Sequence, residues 1–142
     1  MTDPIISPDG NREGEGSSLN NLVNIALNRD DLDEAERLIQ ESLEIKREIG
    51  DRRGEAKSLN NLGNIAKARG DLDEAERLDR ESLAIKREIG DRQGEAISLQ
   101  NLAVIAQSRN DPNEQRRLNS EAVAIWREIG VPIDQWFIRN GY

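Results

Sequence analysis

Cysteine and histidine are both absent from the 142 residues, and aromatic residues make up only 3%. Without cysteine there is no disulfide, no thiol nucleophile and no thiolate metal site. Without histidine, hydrolytic triads and the usual zinc sites are excluded. Lysine is scarce, limited to Lys46, Lys57, Lys67 and Lys86, so arginine carries most of the positive charge. The formal net charge is −8, the opposite of the basic footprint that nucleic-acid backbone binding needs. An acidic, arginine-rich balance fits a salt-tolerant or GC-rich microbial source. No stretch is long and apolar enough to span a bilayer. The start, MTDPIISPDG, has no basic segment before its two-residue apolar run, so no signal peptide and a cytoplasmic location are expected. At 35% hydrophobic, the composition suits a single thin, two-layer helical domain better than a thick globule.

What is present is a repeat. The segment GDRRGEAKSLNNLGNIAKARGDLDEAERLDRESLAIKREIG, from Gly50 to Gly90, is in essence written three times. Gly10, Gly50, Gly90 and Gly130 mark equal intervals, and Leu22, Leu62 and Leu102 correspond between them. A fixed period of this size denotes stacked units, each burying its apolar face on its neighbour.

Within the unit the phase is helical. Ala56, Leu59, Leu62, Ile65 and Ala66 share one helix face, as do Leu72, Ala75, Leu78, Ser82, Leu83 and Ile89. Gly70 separates the stripes, and Asp71 with Glu74 three residues on reads as an N-cap with a capping box. Helix A is expected to end near Arg69 and helix B to start near Leu72. Pro112 follows Asp111 at a first helical position, where it has no N–H to lose. The spacing predicts repeats at 10–49, 50–89 and 90–130, preceded by a tail over 1–9. After Val131-Pro132, a short helix with Ile133, Trp136 and Phe137 on one face is expected to cap the last repeat, near Trp126.

These features carry a resemblance. Leu62-Gly63, the turn at Gly70 and the small Ala75 stand where tetratricopeptide repeats have theirs, and GDRRGEAKSLNNLGNIA and GDLDEAERL resemble the roughly 40-residue repeats of kinesin light chains and spindle-orientation adaptors. The resemblance covers residues 10–130. It implies an all-α, right-handed α-solenoid of three antiparallel helix pairs, here with a C-terminal capping helix. It also implies a concave groove lined by helix A, where Asn20, Asn21, Asn24, Asn60, Asn61, Asn64, Gln100 and Asn101 fall. Their amides offer donors and acceptors to an extended peptide, with Lys57 and Lys67 adding positive charge. Asparagine is a mediocre helix former, so its repetition mid-helix calls for a reason. Two remain open: contact with a ligand, or bonds between neighbouring helices. Co-chaperone members of the superfamily clamp a terminal carboxylate with Lys and Arg at such positions. Here Asn60, Gln100 and Val104 stand there, so that specificity is not expected.

No catalytic residues, metal ligands or cofactors are expected. The recurrence of Asp31/Asp33/Glu34 as Asp71/Asp73/Glu74 is explained by capping and dipole complementarity. Arg12, Arg52 and Arg92, near Glu15, Glu55 and Glu95, are expected to form ion pairs between repeats. Asp79, at a helix-B position that is Ile39 and Asn119 in the other copies, is expected to reach water or meet an arginine, because an isolated buried carboxylate is costly. The function expected is a non-catalytic scaffold for a protein or peptide partner. The alternatives are a self-associating module using Trp126, Trp136 and Phe137, and the sensor or adaptor part of a microbial regulatory system.

Overall fold

The computed structural model describes residues 31–130. They form five helices: α1 (Leu32–Ile49), α2 (Arg52–Ala68), α3 (Leu72–Glu88), α4 (Arg92–Ser108) and α5 (Pro112–Glu128). Each packs on its neighbours in the sequence, giving an all-α array of helical repeats. The expected first helix A and the capping segment 131–142 lie outside the described residues.

One aspartate at each junction does two jobs. The side chains of Asp31, Asp51, Asp71, Asp91 and Asp111 accept from the backbone N–H three residues on, at 2.9–3.2 Å. The backbone N–H of Asp51, Asp71, Asp91 and Asp111 meanwhile closes the preceding helix by donating to Lys46, Ala66, Lys86 and Ala106, at 2.8–2.9 Å. That second bond leaves no role for the reciprocal half of the expected capping box. Glu74 instead accepts from Arg77 Nε at 2.7 Å. The residue before each of these four aspartates is left-handed, with φ between 73° and 79° at Gly50, Gly70 and Gly90. Asn110 takes the same role at φ 57°, asparagine being the residue after glycine that best tolerates this region.

The buried stripes follow the expected spacing with two corrections. Helix α3 ends at Glu88, so Ile89 is a C-cap residue and Ile85, 5% exposed, fills the core at this level. Lys46 and Lys86 are also buried, which hydropathy alone would not assign. Lys86 Nζ donates to the buried Ser98 Oγ on α4 at 3.1 Å. Burial lowers the pKa of its ammonium, and nearby Asp91 and Asp79 act against that shift. Ser82 Oγ donates to the Ala56 carbonyl at 2.7 Å, tying α3 to α2.

Ion pairs join successive repeats by a route other than the expected one. Arg52 bonds within its own unit, to Glu55 at 2.8 Å and Glu88 at 2.9 Å. Bridges between repeats include Arg47 to Glu55 and Arg87 to Glu95, both at 3.1 Å, and Arg69 to Glu36 at 3.0 Å. Glu55 and Glu95 are nearly buried and each sits between two guanidinium groups. The Arg12–Glu15 pair lies outside the described residues.

Candidate binding face

On α2 a polar stripe follows from the helical repeat itself. Residues Arg53, Lys57, Asn60, Asn64 and Lys67 recur on one side at about 100° per residue, opposite the apolar Leu62 and Ala66. Lys57 and Asn64 are exposed, while Asn60, Asn61 and Lys67 are half-buried. Helix α4 carries the same stripe one repeat later, as Gln93, Ile97, Gln100 and Val104. Gln100 and Asn101 are half-buried there.

Among the described residues, none of the amides of Asn60, Asn61, Asn64, Gln100 and Asn101 makes a hydrogen bond. The carbonyl oxygen of Asn60 is buried and lacks a partner. The expectation that these side chains bond neighbouring helices therefore finds no such bond among the described residues. Asn20, Asn21 and Asn24 lie outside them, as do Trp136 and Phe137. Trp126 is 8% exposed and belongs to the core, at the position filled by Lys46 and Lys86 in the other copies.

The third unit changes the character of the stripe. Ile97 stands where α2 has Lys57, and Val104 where it has Asn64. They are 38% and 43% exposed. The face thus runs from a basic, amide-rich segment on α2 to an apolar one on α4. The exposed Ile97 escapes a reading based on composition, but its departure from the core phase of Ala96, Leu99 and Leu102 marks it.

Beneath this face lies Asp79, where the structure overturns the sequence expectation. Asp79 is fully buried, meets no arginine, and neither carboxylate oxygen has a hydrogen-bond partner. Burial pushes its pKa up to about 6, against the pull of Lys67 and Lys86. Space for the carboxylate comes from Gly63 on α2, where a Cβ would collide with Asp79 Oδ1 and lie 3.2 Å from Cγ. The equivalent pairs are Val23 with Ile39, and Ala103 with Asn119, so the residue at this A-helix position varies together with the one on helix B. We expect Gly63→Ala to cost about 1–3 kcal/mol from overpacking, although alanine is the better helix former by roughly 1 kcal/mol. In an Asp79→Ala background the same change should be neutral or stabilising. Urea titrations of the four proteins measure the coupling, and strictly additive effects would refute the contact.

A family model described as tetratricopeptide repeat matches residues 14–88 and again 56–128. Among solved structures, BtubC (BKLC) from P. vanneervenii is 22% identical with a TM-score of 0.73, covering 82% of this chain and 48% of that one. This chain thus spans about half the length of that protein. The TPR domain of Arabidopsis FLU is 18% identical, with a TM-score of 0.74 and coverage of 82% and 98%. The N-terminal domain of stress-induced protein-1 (STI-1) from C. elegans is 14% identical, with a TM-score of 0.71 and coverage of 92% and 94%. At these identities the likeness is one of fold. No curated protein sequence matches the chain. No described helix is long and apolar enough to cross a membrane.

Proposed function

The chain belongs to the tetratricopeptide repeat family, whose repeats typically mediate protein–protein interaction, and we propose that it is a non-catalytic scaffold binding an extended peptide along the exposed stripes of α2 and α4. In this reading the repeats divide at 10–49, 50–89 and 90–130, and residues 131–142 cap the last. The observation that carries it is the set of amides at Asn60, Asn61, Asn64, Gln100 and Asn101, placed mid-helix and without hydrogen-bond partners among the described residues. An amide presents both a donor and an acceptor, which matches the alternating groups of an extended backbone. Lys57 and Lys67 suit an acidic side chain of the ligand, and Ile97 with Val104 an apolar one further along.

Selection from a random peptide library tests this. Wild type should enrich sequences with an acidic residue followed at a distance by an apolar one. Asn60→Ala/Asn64→Ala, shown to be folded by circular dichroism, should bind the selected peptide about ten- to a hundredfold more weakly, since each lost bond is worth about 0.5–1.5 kcal/mol. Unchanged affinity would remove the amide ladder from the binding surface. A wild-type dimer in sedimentation equilibrium that dissociates on Ile97→Ser/Val104→Ser would favour self-association instead.

A further inference from the structure

A second surface lies on the opposite side of α2, and the repeat itself supplies a template for reading it. Helices α1 and α3 form the walls of a crevice of about 700 Å³ floored by Leu59, Leu62 and Ala66 of α2. The same crevice recurs between α3 and α5, over Leu102 and Ala106 of α4, but measures only about 160 Å³. Arginine 80 accounts for the difference in content. In the second crevice Arg80 Nε donates to Glu76 on its own wall at 2.9 Å. Its Nη2 lies 3.8 Å from Glu114 on the facing wall, so the guanidinium spans the gap.

In the first crevice the corresponding carboxylates are present, as Glu36 and Glu74, but the spanning arginine is not. Gln40 stands in its place. Glu44 adds a carboxylate where the second crevice has Ala84, and it makes no ion pair among the described residues. Carboxylates therefore outnumber guanidinium groups five to three around the first crevice. Both sequence differences make it more acidic than its twin, and the shorter Gln40 in place of Arg80 leaves the gap open. The floor remains apolar, suited to the methylene stem of a long side chain below a charged head.

We propose that this crevice, at Gln40 and Glu44, docks an arginine side chain carried on a basic segment of a partner polypeptide. The guanidinium takes the place that Arg80 occupies in the second crevice, between Glu36 and Glu74. A guanidinium can present separate N–H groups to both walls, whereas an ammonium is a single point charge, so arginine is preferred to lysine. The site is independent of the amide-bearing face, because the residues concerned point to opposite sides of α2.

The test converts each crevice into the other. The probe is a fluorescein-labelled peptide of alternating arginine and alanine, with lysine and glutamate counterparts as controls, titrated by anisotropy at low and high salt. Gln40→Arg/Glu44→Ala copies the second crevice into the first, an arrangement the fold already accommodates. It should weaken binding of the arginine peptide by about tenfold or more. Arg80→Gln/Ala84→Glu copies the first into the second and should raise the calorimetric stoichiometry from one peptide to two. Asn60→Ala/Asn64→Ala should leave both results unchanged, and added salt should weaken the wild-type complex. Equal binding by wild type and Gln40→Arg/Glu44→Ala overturns the proposal, as does failure of wild type to prefer arginine over lysine. A wild-type dimer made monomeric by Gln40→Arg/Glu44→Ala would also overturn it, by identifying the occupant as an arginine of a second copy.

Discussion

Replacing Asp79 with asparagine is expected to stabilise the protein at pH 7.5 by about 2–3 kcal/mol. A carboxylate with ordinary pKa 3.8 when unfolded titrates at about 6 in the fold, because burial disfavours its charged form. About two units of difference correspond to about 3 kcal/mol. The native state binds the proton more tightly than the unfolded chain does. The favourable contribution is therefore complete below pH 4 and is lost as the pH rises through 6. Wild type should gain stability as the pH falls from 7.5 to 5, while Asp79→Asn should be nearly flat over that window. Asparagine 119 already occupies the equivalent buried position, so the amide fits the architecture. Below about pH 4.5 the trend should reverse. Glu74, Glu88 and Glu114 have pKa values lowered by hydrogen bonds from Arg77, Arg52 and Arg117, and those pairs fail on protonation. Urea unfolding at half-unit pH steps measures both limbs. Parallel curves for wild type and Asp79→Asn would show that burial does not raise the pKa of this carboxylate.

The other large effect concerns α4. Leu99, 1% exposed, should cost about 2–5 kcal/mol when truncated to alanine, the range for a core leucine that leaves a cavity. Ile97, two positions earlier, should change stability by no more than about 0.5 kcal/mol, since its side chain lies at the surface outside the core. In a repeat array stability is a sum of units and their interfaces, so the loss should be concentrated in α4 and α5. Hydrogen exchange should show those helices opening first in Leu99→Ala, with α1 and α2 retaining more protection. Uniform loss of protection along the chain would contradict this one-dimensional behaviour.

Much of the architecture was legible in the residues because the forces that set it act over short distances along the chain. An aspartate caps the N–H three residues ahead, a glycine or asparagine ends the helix behind it, and the apolar stripe repeats with the helical turn. These are relations within one or two turns, so the helix boundaries near Arg69 and Leu72 and the buried set Ala56, Leu59 and Leu62 follow from reading in order. The missing cysteine and histidine likewise narrowed the chemistry before any fold was known. The period of the repeat also placed Lys57, Asn60, Asn64 and Gln100 on a shared helix side.

Only the tertiary structure decided what meets across helices. The cost of an isolated buried carboxylate predicts that Asp79 reaches water or meets an arginine; it is buried instead, where Gly63 on another helix leaves the volume it fills. The route of the ion pairs is hidden from the sequence for the same reason. Arg52 and Glu55 are close in sequence and bond within one helix, whereas Arg69 reaches Glu36 across two units. Gln40 and Arg80 look like ordinary drift between copies until the crevice walls stand face to face. Separation along the chain does not reveal which small residue opposes which large one, or which charge spans a gap, and those pairings set the polar interior and the open crevice of this protein.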